Sequence, residues 1–108
     1  MTDSFTERVK KILKNIPPGK VSTYGRIAAQ AGNPLAARQV VRILHACSDK
    51  DKLPWHRVVN SKGFIALARG RGFELQRALL KDEGVKCGPE GAVDLATNLW
   101  RPNKNRKT

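Results

Sequence analysis

Cysteine, acidic residues and long apolar runs are all scarce in this sequence. Only two of its 108 residues are cysteines, Cys47 and Cys87, which excludes a disulfide-rich secreted scaffold. No Cys-x-x-Cys or His-x-x-x-His spacing is present, so we expect neither a metal site nor a cofactor. No apolar run approaches the roughly 18 residues of a membrane-spanning helix. The first residues lack a basic leader with an apolar stretch, which predicts a cytoplasmic protein.

The few acidic residues are also unevenly placed. Nine Asp and Glu stand against 21 Lys and Arg, giving a net charge of +12. Residues 8–48 and 52–73 contain no acid at all. Scattered basic residues that only keep a surface soluble would be interspersed with acids. The segregation favours a face that binds a polyanion, and DNA is preferred over a membrane because no amphipathic helix carries apolar aromatics.

The periodicity of apolar residues predicts three helices in the first half of the chain. The first covers residues 5–15 and is capped by Ser4. The second is capped by Ser22 or Thr23 and ends before Gly32. The third begins at Asn33-Pro34 and continues to residue 46. Two short helices joined by a tight turn are typical of a helix-turn-helix, whose second helix enters a DNA groove.

The second half of the chain predicts a small wing and one more helix. Residues 53–59 favour a strand, 60–63 a turn and 64–67 a returning strand, which together indicate a β-hairpin. A fourth helix is predicted over 73–83 with Leu75, Leu79 and Leu80 buried. One short strand is expected within 93–100. The fold class is therefore mostly α: a single winged helix-turn-helix-like domain over residues 1–100, followed by a basic, disordered tail over 101–108.

Three segments carry a resemblance to a known family. Ile16–Gly25 reads IPPGKVSTYG, Ala36–Val40 reads AARQV and Pro54–Gly63 reads PWHRVVNSKG. In this order they resemble the C-terminal domain of O6-alkylguanine-DNA alkyltransferases, and more closely the alkyltransferase-like proteins. Active alkyltransferases have their acceptor cysteine between the proline and the histidine of the third segment, where this chain has Trp55.

Trp55 changes the chemistry that the resemblance implies. Dealkylation of guanine needs a thiolate, and an indole cannot replace it, so we expect no methyl transfer and no enzyme activity. Cys47 and Cys87 are remote in sequence from His56, which favours packing roles for both thiols. Trp55 is either a core-filling aromatic or the floor of a pocket that packs against an alkylated base.

The resemblance also implies roles in nucleotide flipping. Arg38 matches the arginine that fills the gap left by an extruded nucleotide, and Tyr24 matches the tyrosine that pushes on the target phosphate. Without the resemblance, Arg38 reads as a solvated charge and Tyr24 as a core residue. The further DNA contacts implied at the helix-turn-helix are Ser22, Thr23, Ala36, Ala37 and Gln39.

The resemblance places a lesion pocket around Trp55. Its backbone wall is expected at Val59, Asn60 and Ser61, and a stacking arginine at either Arg69 or Arg71. His56 and Arg57 are expected to be structural.

The function implied is recognition without repair. A monomer would bind double-stranded DNA containing O6-alkylguanine in the minor groove, flip the lesion and flag it for nucleotide excision repair proteins. A winged-helix regulator and an active alkyltransferase are the alternatives. A regulator needs side chains that read bases, and the second helix of this helix-turn-helix offers only Arg38 and Gln39. An active alkyltransferase needs the acceptor cysteine, which is absent here.

Overall fold

The computed structural model describes residues 4–102 of the chain. Within them the elements follow one another as α1 (Phe5–Lys14), β1 (Ser22–Thr23), α2 (Tyr24–Gln30), α3 (Ala37–Asp51), a 3-10 turn (Trp55–Arg57), β2 (Val58–Val59), α4 (Phe73–Asp82) and α5 (Leu95–Asn98). The fold is mostly helical with a small two-stranded sheet, as the sequence predicts. None of the helices in this part of the chain is long and apolar enough to cross a membrane.

The first two helices begin and end where local chemistry predicts. The Ser4 hydroxyl accepts a hydrogen bond from the Glu7 amide at 3.1 Å and caps α1. The Thr23 hydroxyl accepts from the Arg26 amide at 3.2 Å and caps α2, which settles the choice between Ser22 and Thr23. Gly32 follows α2 with a φ of +103°, a left-handed conformation that glycine adopts without steric cost.

The third helix differs from its predicted bounds at both ends. The Asn33 side chain accepts from the Leu35 amide at 3.1 Å, so residues 33–36 form a turn and α3 begins only at Ala37. The predicted start at Asn33 was therefore wrong. The helix continues past residue 46 to Asp51, whose carboxylate forms a 2.9 Å ion pair with Lys10 of α1. Sequence periodicity could not reveal this tertiary contact.

The small sheet is a parallel pair and not the expected hairpin. Ser22 lies opposite Val58 and Thr23 opposite Val59. The predicted hairpin over residues 53–67 was wrong because residues 55–57 coil into a 3-10 turn and β2 pairs with a strand distant in sequence. In this parallel register the 3-10 turn before β2 lies beside the residues that precede β1, and Arg57 donates a hydrogen bond to the Ile16 carbonyl there.

The turn chemistry predicted at Asn60 is present, but it serves another purpose. The Asn60 side chain accepts hydrogen bonds from the amides of Lys62 and Phe64, each at 3.0 Å. The redirected chain brings Phe64 into a single antiparallel bridge with Ala92. The segment after the turn therefore joins the C-terminal part of the domain.

The sheet lies between two clusters of buried apolar side chains. Side chains of successive strand residues point to opposite faces, so Val58 belongs to one cluster and Val59 to the other. The first cluster joins the α1–α3 bundle and includes Val9, Leu13, Ile16, Ile27, Ala28, Val40, Ile43 and Leu44. The second packs α4 against the C-terminal segment and includes Val21, Ile65, Phe73, Leu80, Val85 and Val93.

The fourth helix forms as predicted but turns a different stripe inward. Its buried residues are Phe73, Gln76 and Leu80, at helical spacings of three and four. Leu75 is 56% exposed, so its predicted burial was wrong, and Leu79 is half-buried. The apolar pattern alone did not identify Gln76 as an inward-facing residue.

Residues 93–100 form a short helix where one strand was expected. The Asp94 carboxylate accepts from the Ala96 amide at 3.0 Å and caps α5. Extended pairing is limited to single bridges at Val93 and Leu99 on either side of that helix. The predicted tail over 101–108 falls largely on residues 103–108, outside the described part of the chain.

Candidate nucleic-acid interface

A cavity of about 360 Å³ opens between the helix-turn-helix and α4. Three of the residues singled out from the sequence line it: Tyr24, Trp55 and Arg71. Most of the exposed wall is apolar, including Val41, Leu44, Leu67 and Leu75. An apolar recess with a few polar groups at its edge suits a flat, partly alkylated ligand.

Trp55 lies in the wall of this cavity and is only half-buried. Its indole packs against the α1–α3 cluster and meets the His56 ring edge-on, with ring centroids 6.0 Å apart at 82°. Trp55 therefore combines both interpretations left open by the sequence, because one part of the indole completes the core and another lines the cavity.

Tyr24 is the first residue of α2 and lines the same cavity. Its ring packs against the α1–α3 cluster, and burial raises the pKa of its phenol above the usual value. Tyr24 is therefore a neutral hydrogen-bond donor and acceptor at physiological pH.

Glu83 organises the turn beneath Trp55, and sequence reasoning missed it. Its carboxylate accepts from Arg57 Nη2 at 2.7 Å and Nε at 3.0 and 3.1 Å, from His56 Nε2 at 2.7 Å and from the Gly19 amide at 3.1 Å. Arg57 Nη1 also donates to the Ile16 carbonyl at 2.9 Å. One carboxylate thus ties the end of α4 to residues 17–19, the PPG loop, and to the 3-10 turn that carries Trp55. No sequence spacing indicates it, because its partners lie 26, 27 and 64 residues away.

The electrostatics of Glu83 fix the proton on His56. Burial alone raises the pKa of Glu83, but the hydrogen bonds from Arg57, His56 and Gly19 outweigh it and hold the pKa at about 2. A carboxylate that stays ionised only accepts, so His56 Nε2 carries the proton that it donates. A carboxylate paired in this way orients the His56 ring as proton transfer to or from a neighbour requires. The neighbour of His56, however, is the Trp55 indole.

Neither cysteine lies in the cavity wall. Cys47 is half-buried against the α1–α3 cluster, and Cys87 is buried in the second cluster. Burial raises the pKa of the Cys87 thiol, which disfavours the thiolate needed for attack. Among residues 4–102, the cavity beside Trp55 therefore has no thiol in its wall.

The structure separates the two arginines that the sequence left as alternatives. Arg71 lines the cavity. Arg69 points elsewhere: its Nη2 donates to the Pro89 carbonyl at 2.9 Å, and its guanidinium lies 4.4 Å from the centre of the Phe73 ring. Gly72 shapes this loop, since its φ is +113° and a Cβ there would lie 2.7 Å from Leu67 Cδ1.

Three residues expected in the pocket wall are absent from it: Val59, Asn60 and Ser61. Successive strand residues point to opposite faces, so the Val59 side chain points away from Val58 and is fully buried in the second cluster. Asn60 uses its side chain to build the turn described above, and Ser61 lies exposed within that turn. In this structure residues 58–61 therefore lie outside the cavity lining.

Gln76 is a second residue that the sequence analysis missed. It is 1% exposed and lines the cavity, and its Nε2 donates to the carbonyls of His56 and Val58, each at 3.0 Å. These two bonds attach α4 to the turn that carries Trp55. The only sign of this role in the sequence is a polar residue at a position of α4 that faces the core.

The expected DNA contacts divide into exposed and buried groups. Arg38 and Gln39 are exposed in the first turn of α3, and Ala37 beside them is half-buried. The side chains of Ser22, Thr23 and Ala36 are buried, so a DNA contact at these positions would use the backbone, and their role in DNA binding stays a prediction. Pairing with β2 covers the first two, and Ala36 packs into the α1–α3 cluster.

Comparisons with known proteins agree with this architecture. Residues 4–85 match the family described as the DNA-binding domain of 6-O-methylguanine DNA methyltransferase. Alkyltransferase-like protein 1 of Schizosaccharomyces pombe is 37% identical over 105 residues, which cover 93% of this chain and 97% of that protein. The chain belongs to the alkyltransferase-like proteins of this family.

Two further comparisons place the chain within the alkyltransferase-like group. The DNA base-flipping protein of Escherichia coli is 46% identical over 98 residues, covering 91% of this chain and 75% of that protein. The crystal structure of S. pombe Atl1 in complex with damaged DNA containing O6-carboxymethylguanine superposes with a TM-score of 0.80 at 36% identity, covering 94% and 99% of the two chains. The alkyltransferase-like fold predicted from the three motifs is confirmed.

Proposed function

We propose that this alkyltransferase-like protein binds double-stranded DNA, flips O6-alkylguanine into the Trp55 cavity and holds it there without dealkylating it. The observation that carries the proposal is the Trp55 indole in the cavity wall, on a turn that the His56–Glu83 hydrogen bond holds in place, where the family's active members have a thiol. A base-flipping relative from Escherichia coli and the S. pombe Atl1 complex with damaged DNA support the same activity.

The proposed docking uses the exposed first turn of α3. Arg38 and Gln39 project there, and Arg38 would enter the duplex through the minor groove and occupy the gap left by the flipped nucleotide. Tyr24, at the start of α2 and beside the cavity, would press on the target phosphate. The basic residues of the helix-turn-helix would supply the salt-dependent, sequence-independent part of the affinity.

The proposed selectivity comes from the lesion and the pocket together. Extruding a base costs a few kcal/mol, and the cost is least for a damaged base that pairs poorly. Inside the cavity the apolar wall would accept the alkyl group, and Arg71 would stack on the flipped purine. Arg69 is held by Pro89 and Phe73 and would remain outside the pocket.

We further propose that the complex of a monomer on bent DNA flags the lesion for nucleotide excision repair. A protein that holds a lesion without converting it prolongs the distortion that other repair proteins can recognise. No residue in the described part of the chain identifies that partner, so this step rests on the resemblance to the family.

A gel-shift titration with matched duplexes that contain guanine or O6-methylguanine tests the proposal. We expect tighter binding to the lesion duplex, and no gain of about 14 daltons in the protein's mass afterwards, the mass of one methyl replacing hydrogen. Equal affinity for both duplexes would indicate a general DNA-binding protein or a regulator. A methylated protein would show that it is an active alkyltransferase.

A further inference from the structure

A second cleft of about 540 Å³ lies on the far side of Trp55 from the cavity described above. The two spaces share three lining residues: Ser48, Asp49 and Trp55. The Trp55 indole therefore stands between the two spaces. A substituent that left the first cavity past Trp55 would enter this cleft.

Two exposed lysines line the cleft. Lys14, in the last turn of α1, and Lys52, after the end of α3, both line it, and neither forms a salt bridge within residues 4–102. The charge of Arg57 is already balanced by Glu83. Asp49 is the one acid in the lining and stands at the junction of the two spaces. With Arg57 paired to Glu83, the lining carries two lysines against one aspartate, and its net charge is positive.

Lys52 occupies an unusual backbone conformation. Its φ of +55° and ψ of +46° make it the one non-glycine residue with positive φ in the described part of the chain. Glycine is the residue that ends helices in this conformation at least cost. A lysine there places an ammonium group beside the cleft in spite of that cost.

Ser48 adds a polar group at the junction. Its Oγ is buried and has no hydrogen-bond partner within residues 4–102. A buried hydroxyl without a partner is rare, and a ligand atom next to it would supply the missing hydrogen bond.

We propose that this cleft is a second subsite, which binds the distal, anionic end of a long O6-alkyl substituent. The proposal rests on the proposed function, because the flipped guanine must first occupy the Trp55 cavity. The alkyl chain would pass Ser48 at the edge of the indole, and a terminal carboxylate would meet Lys52 and Lys14. The ligand class is an O6-alkylguanine whose chain ends in an acid.

The test compares duplexes that differ only at the end of the adduct. One carries O6-carboxypentylguanine, one its neutral carboxamide isostere, and two controls carry O6-methylguanine or guanine. We expect the wild-type protein to bind the carboxylate duplex about threefold to fivefold more tightly than the carboxamide duplex, the value of a partly exposed ion pair.

Two variants of opposite charge sign sharpen the test. Lys52→Gly relieves the left-handed backbone, so we expect a melting temperature no lower than the wild type's, together with loss of the preference for the carboxylate. Asp49→Asn removes the acid at the junction and should increase that preference. Lys52→Gly should not change the affinity for the O6-methylguanine duplex, because Lys52 does not line the Trp55 cavity. Asp49 lines both spaces, so for Asp49→Asn only the ratio of carboxylate to carboxamide affinity is compared.

Each contrary result has a distinct meaning. Equal wild-type affinity for the carboxylate and carboxamide duplexes overturns the subsite while leaving the proposed function intact, provided that O6-methylguanine still binds more tightly than guanine. If Lys52→Gly weakens all four duplexes equally, Lys52 contacts phosphate and the subsite is wrong. If the wild type does not distinguish O6-methylguanine from guanine, the proposed function itself fails, and the subsite with it.

Discussion

Replacement of Glu83 by glutamine should measure how much the scaffold beneath Trp55 depends on one carboxylate. The group is 16% exposed and accepts hydrogen bonds from Arg57, His56 and the Gly19 amide. Its pKa falls from 4.5 to about 2 on folding. A shift of this size corresponds to about 3 kcal/mol at neutral pH, which we reduce to about 2 kcal/mol because water still reaches and screens the group.

The pH dependence of this stabilisation has a definite sign. The folded protein holds the carboxylate in its ionised form, so the stabilisation is fully present above pH 4.5 and is lost as the pH falls toward 2. We expect Glu83→Gln to lower the free energy of unfolding by about 2 kcal/mol at pH 7 and by less than about 1 kcal/mol at pH 3.

Urea unfolding at a series of pH values measures this difference directly. Comparison of wild type and variant at each pH cancels the general destabilisation of a highly basic protein in acid. Asp82→Asn is the matched control, because Asp82 is the adjacent carboxyl group, is exposed and makes no hydrogen bond to the turn. A Glu83→Gln variant that matches Asp82→Asn at every pH would refute the reasoning.

Three further substitutions test single contacts. Arg38→Ala should weaken binding to an O6-methylguanine duplex by tenfold or more, about 1.4 kcal/mol. In gel shifts at fixed salt, the control Arg42→Ala on the same helix should lose only the affinity of one phosphate contact, and equal losses would indicate generic electrostatics. Arg71→Ala should lower lesion affinity by a similar factor, whereas Arg69→Ala should leave it unchanged in the same titration, and the reverse result would exchange their roles. Gln76→Leu should leave two carbonyl oxygens without a donor and cost about 2 kcal/mol in urea unfolding, so an unchanged midpoint would argue against their importance.

Sequence predictions that depend on neighbouring residues succeeded, whereas those that depend on residues distant in sequence failed. The caps at Ser4 and Thr23 depend on neighbours three residues away, and the chain forms both as predicted. The hairpin prediction failed because the partner of Val58–Val59 is Ser22–Thr23, far back in the sequence. Strand propensity identifies a segment that can pair, but it does not identify the partner.

The sequence alone determined the family, the mostly helical fold, the basic character of the chain and the residue type at position 55. These properties are carried by motifs, apolar periodicity and charge, which are local or additive along the chain. Only the tertiary structure decided that Glu83 ties His56 and Arg57 to the PPG loop, and that Arg71 lines the cavity while Arg69 does not. Those outcomes depend on which distant segments pack together, and packing joins residues that no spacing in the sequence relates.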